Sequence, residues 1–378
     1  MTTVLSDINS QRMLALVKAA LHGTVPDENL FVDAAETDWN ELFEQSNLQG
    51  VMVLSLNGAI LLPKKLQPPP PLKLRWIASV ETVEKWYWHC LETAKELSVR
   101  FKENNIRMLL FKGIALSKLY PVPGSRQFGD MDIFLCGKSK EGDAVLENIA
   151  KKYQVSKKHS NFFYKGIMIE NHYTFLNQNS YKSFQYSENL EKQLLMILTE
   201  AGIMDINLAE SVQTDEDLLF PTPDFDALFV TLHTFSHLPS RIVLRQLCDL
   251  TVIFTAYKGK IDISRYRNIL AEAGLLKLAD IFISLSVKYL GLNPEYAPPY
   301  ESDCSLENRI WNDILNPEVP LLPKEKRTFL NVFTHKIKLL YSFYWKYELI
   351  FPRKYWKRVF YSTFFNLRHP EKIGKFYR

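Results

Sequence analysis

The chain contains 378 residues, of which 47% are hydrophobic and 23% are charged, and its formal net charge is +4. This composition indicates a soluble globular protein of two or three units, at about 100–200 residues per domain. No apolar run reaches the roughly 18–20 residues of a membrane-spanning helix, and the first residues lack the basic start and apolar core of a signal peptide. The cysteines are isolated from one another, so we expect reduced thiols in a cytoplasmic protein.

The first part of the chain has a helical pattern. Residues 8–61 are expected to be helical, and the prolines at 68–71 form a stiff connector, because proline fixes φ and removes a backbone donor. A long helix is predicted over residues 72–104. We therefore predict an N-terminal helical region over residues 1–104.

A buried strand is predicted at residues 107–111, and it leads into Lys112-Gly113 and an apolar helical stretch at residues 114–120. A glycine at a strand-to-helix turn lets the backbone approach a phosphate, and a helix N-terminus favours an anion. This turn is therefore a candidate phosphate-binding element.

Asp130 and Asp132 follow on a short apolar run. Residues two apart in a strand point to the same face, with Cα atoms roughly 6.5–7 Å apart at a rise of about 3.3 Å per residue. Two like charges side by side cost free energy unless a cation neutralises them, and Mg²⁺ takes one or two carboxylates together with water and substrate phosphate. The spacing predicts a metal–nucleotide site, although Asp-x-Asp is also common on loops that bind no metal.

A further strand is predicted over residues 167–175. Its alternation places Glu170 and His172 on one face and mostly apolar residues on the other. A third carboxylate on a neighbouring strand would complete a metal-binding triad. Together with a helix expected at residues 141–153, these strands define a core unit over residues 105–210.

His233 and His237 lie four residues apart in a helix pair expected over residues 224–257, with a break at Pro239 and Ser240 as the N-cap. This spacing can bind zinc. However, no glutamate follows the first histidine as in a metalloprotease helix, and no third ligand is evident. A hydrogen-bonding role at the cleft is the favoured interpretation.

Arg241, Arg245 and Asp249 are expected on one face of the second helix of this pair. Such sets are commonly ion pairs that lock helices together, and the functional alternative is that an arginine contacts nucleotide phosphates. With an amphipathic helix predicted over residues 263–290, these residues belong to a helical domain over residues 211–300.

The C-terminal region, residues 301–378, carries most of the positive charge. Residues 324–378 contain fourteen Lys and Arg against three Glu, about +11, which leaves the rest of the chain near −7. Aromatic residues interleave these charges, with Trp345, Tyr355 and Trp356 as candidate anchors. The pattern fits a peripheral contact with an anionic membrane, a nucleic-acid groove, or a solvated basic face whose aromatics pack on the protein's own core.

One stretch of the sequence resembles the uncharacterised nucleotidyltransferase family of the polymerase-beta-like superfamily. It runs from Lys112-Gly113 through Tyr120-Pro121 and Arg126 to Asp130. The same residues are also similar to the abortive-infection toxin transferases, which carry a related arrangement. The histidines, arginines and aspartate of residues 233–249 match the helical segment of the first family. One departure is that Ile114 follows Gly113, where the superfamily commonly has a serine or glycine.

The resemblance implies an α+β fold, with a mixed nucleotidyltransferase β-sheet flanked by N-terminal and C-terminal helical regions. It implies two Mg²⁺ ions, with Mn²⁺ as an alternative, held by Asp130, Asp132 and Glu170, the last as a metal ligand or base. An NTP would be bound by the residues named above, which are Lys112, Gly113, Arg126, His172, His233, His237, Arg241 and Arg245.

The expected reaction transfers a nucleoside monophosphate to an unknown acceptor, which is a small molecule, a protein or an RNA, and releases pyrophosphate. Two alternatives stay open. One is a nucleotide-binding module that has lost turnover, for which the absent serine is the best argument. The other is a toxin-like transferase that acts on tRNA.

Overall fold

The computed structural model describes residues 7–176, 187–205, 214–215, 218–316, 331, 334–335, 338, 341–350 and 356. Within these residues the predicted α+β architecture is confirmed, because one mixed sheet lies between helical regions that precede and follow it.

Four helices build the N-terminal region: α1 (Ile8–His22), α2 (Glu36–Leu48), α3 (Met52–Ala59) and α4 (Pro70–Glu103). The prolines do not all lie in the connector as expected, since α4 begins at Pro70. The first turn of a helix tolerates proline, because its backbone N–H groups have no partner within the helix. The long helix therefore begins two residues earlier than the sequence suggested.

The sheet contains the strands β1 (Leu109–Phe111), β2 (Asp130–Phe134), β3 (Lys151–Val155), β4 (His159–Tyr164), β5 (Ile167–His172), β6 (Thr214–Asp215) and β7 (Leu218–Leu219). Their order is β3-β4-β5-β2-β1-β7-β6. The candidate site lies at the centre, where β2 pairs antiparallel with β1 and parallel with β5. A short helix, α5 (Gly113–Ser117), follows β1 directly.

Four predicted elements of the sheet region have wrong bounds. The strand predicted at residues 107–111 begins at Leu109, and the helical stretch predicted at residues 114–120 is α5. The helix expected at residues 141–153 is α6 (Ser139–Glu147), and the chain then forms β3. Every residue of β3 is exposed, and its sequence alternates only at Tyr153 and Val155, which is too short a signal to identify this edge strand. The strand expected over residues 167–175 ends at His172.

Helix α7 (Ser187–Glu200) lies between β5 and β6 in the chain. The helices after the last strand are α8 (Pro223–His237), α9 (Leu244–Ala256), α10 (Ile263–Glu272), α11 (Leu276–Leu290), α12 (Cys304–Leu315) and α13 (Tyr344–Ile350). The predicted pair over residues 224–257 is present, but Ser240 is not its N-cap, because α9 begins after Val243. The single helix expected over residues 263–290 is two helices. Gly274 separates them with a φ of 69°, which a helix cannot contain.

Two hydrophobic clusters cover the two faces of the sheet. Phe111 and Phe134 belong to the larger cluster, which includes the N-terminal helices and α8 to α13. Met131 and Ile133 belong to the smaller cluster, which packs under the second half of α4. Because alternate residues of β2 face opposite sides, Asp132 lies on the same side of the sheet as α8 and α9.

The C-terminal helix α13 packs on the larger cluster. Tyr347 and Ile350 are buried there, and Trp345 is partly buried against the same cluster, with the Arg309 guanidinium 4.1 Å from its ring. For Trp345 these contacts support the alternative in which the aromatic residues of the C-terminal region pack on the protein's own core. Tyr355 lies outside the described residues, whereas Trp356 is 64% exposed. No helix among the described residues is long and apolar enough to cross a membrane.

Candidate active site

The Lys112-Gly113 turn brings the end of β1 against the start of β2. Lys112 has φ 57° and ψ −125°, a conformation that a side chain disfavours and that commonly marks functional turns. At Gly113 a Cβ atom would lie 3.2 Å from the Phe128 ring and 3.3 Å from the Asp130 carbonyl oxygen. Glycine therefore permits this close approach, and the turn holds the Lys112 Nζ 2.7 Å from Asp132 Oδ1.

The register of β2 and β5 places the acidic residues together. Asp132 is opposite Glu170, and Asp130 is opposite Met168. The predicted position of Glu170, on a strand adjacent to the Asp-x-Asp strand, is confirmed. Asp132 is almost fully buried, while Asp130 at the start of β2 and Glu170 are partly exposed.

Asp132, Glu170 and His172 offer ligand atoms that all lie within 4.8 Å of one another. His172 Nε2 is 2.9 Å from Asp132 Oδ1 and 3.4 Å from Glu170 Oε2. Asp130 is not part of this group of three. Its negative charge nevertheless helps to raise the pKa of Lys112, which pairs with Asp132. The set of three that could hold a metal thus combines two carboxylates with an imidazole nitrogen, whereas the sequence suggested three carboxylates.

The electrostatics of the site keep Asp132 ionised. Burial opposes its ionisation, but the charge of Lys112 and the hydrogen bond from His172 outweigh burial and lower the pKa of Asp132. Burial likewise opposes the ionisation of Glu170. The hydrogen bond from His172 outweighs burial, so the pKa of Glu170 is also lowered. For Asp130, burial and then the neighbouring charge of Asp132 raise the pKa.

The two histidines of α8 border the same site. The His233 ring stacks on Phe229 at 5.7 Å and meets the His237 ring edge-on at 4.6 Å, and Phe229 packs 5.3 Å from Phe111, which precedes the Lys112 turn. Burial and then the charge of Lys112 lower the pKa of His233 well below its usual range and that of His237 to about 4. Both imidazoles are therefore neutral near pH 7, and the positive charge of Lys112 acts on both of them.

A family model for uncharacterised nucleotidyltransferases matches residues 35–291, which is more than half of the chain. The chain belongs to the uncharacterised nucleotidyltransferase family. This membership supports nucleotidyl transfer as the general class of activity. A search of curated proteins and a search of solved structures each found no match.

The arginines near the site differ in how completely their guanidinium groups are paired with a carboxylate. Arg126 is buried and donates two hydrogen bonds to Asp249, with Nε 2.7 Å from Oδ1 and Nη2 2.9 Å from Oδ2. Tyr120 donates to the same carboxylate at 2.7 Å. Arg126 therefore ties the loop before β2 to α9, and its predicted role at a phosphate has no support from these contacts.

The predicted stack of Arg241, Arg245 and Asp249 on one helical face is wrong for Arg241, because α9 begins only at Leu244. Arg245 is on that helix, with Nη1 4.0 Å from Asp249 Oδ2 and 26% of its side chain exposed. Burial, followed by the charge of Arg126, lowers the Arg245 pKa, while Asp130 opposes this shift. Arg245 is therefore the arginine of α9 that lies in the field of the acidic site.

Sequence reasoning missed His159 at the start of β4. Its ring centroid is 5.2 Å from that of His172, and its Nε2 is 3.6 Å from Glu170 Oε2. Because β4 is not among the predicted strands, nothing in the local pattern placed His159 opposite His172 in the sheet. Its only sequence signal is a histidine beside a lysine after a short polar turn.

Proposed function

We propose that the protein is a metal-dependent nucleotidyltransferase that transfers a nucleoside monophosphate from an NTP to an acceptor hydroxyl and releases pyrophosphate. The observation that carries the proposal is the β2–β5 register, which sets Glu170 against Asp132 beside the Lys112-Gly113 turn. The acceptor is a hydroxyl of a small molecule, a protein or an RNA.

The residues present fit a divalent cation. Asp132 Oδ2 is buried and has no hydrogen-bond partner among the described residues, although a buried carboxylate oxygen normally has one. His172 Nδ1 lies 3.2 Å from the Thr174 carbonyl oxygen. A cation bound at Nε2 would replace the hydrogen bond from Nε2 to Asp132, and the ring would then carry its proton on Nδ1 and donate to Thr174, as metal-binding histidines commonly do. Asp130, Asp132 and Glu170 would hold Mg²⁺, with His172 as a further donor.

A bound divalent cation supplies charge at the phosphoryl oxygens and a lowered pKa for the acceptor hydroxyl. The protein's own residues do the rest. Lys112 keeps Asp132 ionised and in place. Glu170 would accept the proton of the acceptor hydroxyl, whose oxygen forms a bond to the α-phosphorus as the bond to pyrophosphate breaks.

The nucleotide phosphates would lie between the acidic residues and the side chains of α8 and α9. Arg245, which is partly exposed, would contact the phosphates there, with His233 and His237 as neutral neighbours. Preorganised donors and cations of this kind stabilise the charge that develops on the leaving group.

A nucleotide-binding module without turnover is a second candidate, and one observation favours it. Ile114, in the position of the usual serine, is buried in the smaller hydrophobic cluster and offers no hydroxyl to a phosphate. Such a module would bind an NTP and release no pyrophosphate.

Asp132→Asn tests the proposal, with Glu103→Gln at an exposed position as the matched control. We expect the control to behave as wild type, and Asp132→Asn to lose both pyrophosphate release and the stabilisation of the fold by Mg²⁺ and ATP. Equal nucleotide stabilisation in wild type and Asp132→Asn would refute the site. Binding without pyrophosphate release from any nucleotide, with sugars, RNA and protein offered as acceptors, would favour the inactive module.

A further inference from the structure

Lys158 lies in the turn between β3 and β4, and its backbone is fixed on both sides. Its N–H donates to Ser156 Oγ at 3.1 Å, and its carbonyl oxygen accepts from the amides of Tyr173 at 2.8 Å and Thr174 at 3.3 Å. Those two residues directly follow His172, the last residue of β5. The turn is thus attached to the edge of the candidate active site.

The Lys158 side chain is partly buried, yet its ammonium group has no ion-pair or hydrogen-bond partner in the part of the chain that the structure describes. The nearby Glu191 is already engaged, because its two carboxylate oxygens accept from the amides of Phe175 and Leu176 at 2.9 and 2.8 Å. A cation withdrawn from water without a partner costs free energy. Such a residue is a candidate for binding an anion that arrives with a ligand.

The charges that act on Lys158 are those of the candidate active site. Burial and then the charge of Lys112 lower the pKa of Lys158, while Asp132 and Glu170 oppose this shift. In turn, Lys158 helps to lower the pKa of both His233 and His237. Lys158 therefore lies close enough to Lys112, Asp132 and Glu170, and to both histidines of α8, for their charges to act on one another.

We propose that Lys158 contacts the β- and γ-phosphates of the bound nucleotide and stays with the pyrophosphate that leaves. In this role it takes the place of the hydroxyl that Ile114 cannot offer. Lys112 cannot fill this role alone, because its ammonium group is held by Asp132. The inference rests on the proposed function and assigns the triphosphate end of the nucleotide to the β3–β4 turn.

Lys158→Met tests the inference, and Lys157→Met is the matched control, since Lys157 is the exposed neighbour in the same turn. Titration calorimetry with Mg²⁺ present would compare a nonhydrolysable ATP analogue, AMP and pyrophosphate. Charge-assisted contacts are strong, so we expect Lys158→Met to weaken binding of the analogue and of pyrophosphate about tenfold to a hundredfold. AMP binding should be unchanged, the control should match wild type, and Lys158→Arg should retain most of the affinity.

Melting temperature without ligand separates a ligand-binding lysine from a structural one. Removal of an unpaired, partly buried cation should leave the melting temperature unchanged or raise it, and a clear decrease would overturn the inference. Unchanged pyrophosphate binding in Lys158→Met, or an equal loss for AMP and pyrophosphate, would overturn the Lys158 assignment alone. A wild-type protein that binds neither nucleotide nor pyrophosphate would overturn the proposed function as well.

Discussion

Asp226 in the first turn of α8 should make the protein less stable as the pH rises. Its side chain is 2% exposed, Oδ2 accepts one hydrogen bond from the Tyr257 hydroxyl at 3.1 Å, and Oδ1 has no partner in the described chain. Burial outweighs the Tyr257 hydrogen bond and raises the Asp226 pKa from 3.8 to about 7. The folded protein therefore holds this proton up to a higher pH than the unfolded chain does.

The sign and size of the effect follow from linkage. Below about pH 4 the carboxyl is protonated in both states, and between the two pKa values the unfolded state loses its proton first, so the free energy of unfolding falls as pH rises. At about 1.36 kcal/mol per pKa unit, the full loss is about 4 kcal/mol, of which roughly 2–3 kcal/mol develops between pH 5 and pH 8. Above pH 8 this contribution is constant.

Asp226→Asn should remove this part of the pH dependence, because an amide does not titrate. Urea denaturation of wild type and variant at pH 5 and pH 8 would measure it, and we expect the variant to gain most at pH 8. Asp224→Asn is the matched control in the same helical turn, since the Asp224 carboxylate accepts the Asp262 amide at 2.7 Å. A wild type and an Asp226→Asn variant with parallel pH dependence would refute the reasoning.

Three further predictions concern contacts described above. Asp249→Asn should lower the free energy of unfolding by about 3–5 kcal/mol in urea denaturation, because it leaves the buried Arg126 without its counter-charge; an unchanged midpoint would contradict this. The apo protein should bind Mn²⁺ more tightly than Mg²⁺ in calorimetry, because His172 adds a nitrogen ligand to the carboxylates, and His172→Gln should reduce the difference; equal affinities in wild type would contradict the role of His172. Anionic vesicles should bind the protein at low salt, since basic residues near such a surface contribute about 1 kcal/mol each. Trp356→Ala should weaken that binding in co-sedimentation, whereas Trp345→Ala should lower the melting temperature; binding that is indifferent to salt or lipid charge would contradict the membrane contact.

The central strand pair could be predicted because its signal is local. Alternation along single strands was enough to place Asp130 with Asp132 and Glu170 with His172 on common faces. Pairing β2 with β5 then needed only the expectation that both strands belong to one sheet, and the structure sets Asp132 opposite Glu170. The position of Glu170 followed from patterns shorter than ten residues.

The remaining contacts could not be predicted, because they join distant or featureless segments. Arg126 and Asp249 are 123 residues apart, and no local pattern reveals which carboxylate an arginine will meet. Lys158 and His159 follow β3, an exposed edge strand in which only Tyr153 and Val155 show the apolar alternation that identifies a strand. The basic residues near the site could therefore be predicted only in part from the sequence.

The structure divides the basic residues near the site into two kinds, and residue type alone cannot make this division. Lys112 and Arg126 are each bonded to a buried carboxylate, so they balance charges that the protein itself has buried. Lys158 has no such partner among the described residues, and Arg245 reaches its carboxylate only at 4.0 Å with a quarter of its side chain exposed. A buried carboxylate needs its own cation before any ligand arrives, because an unpaired buried charge is costly. A cation that binds substrate must instead remain available. On this argument the first pair maintains the shape and ionisation of the site, and the second pair is the one that a nucleotide's phosphates would meet.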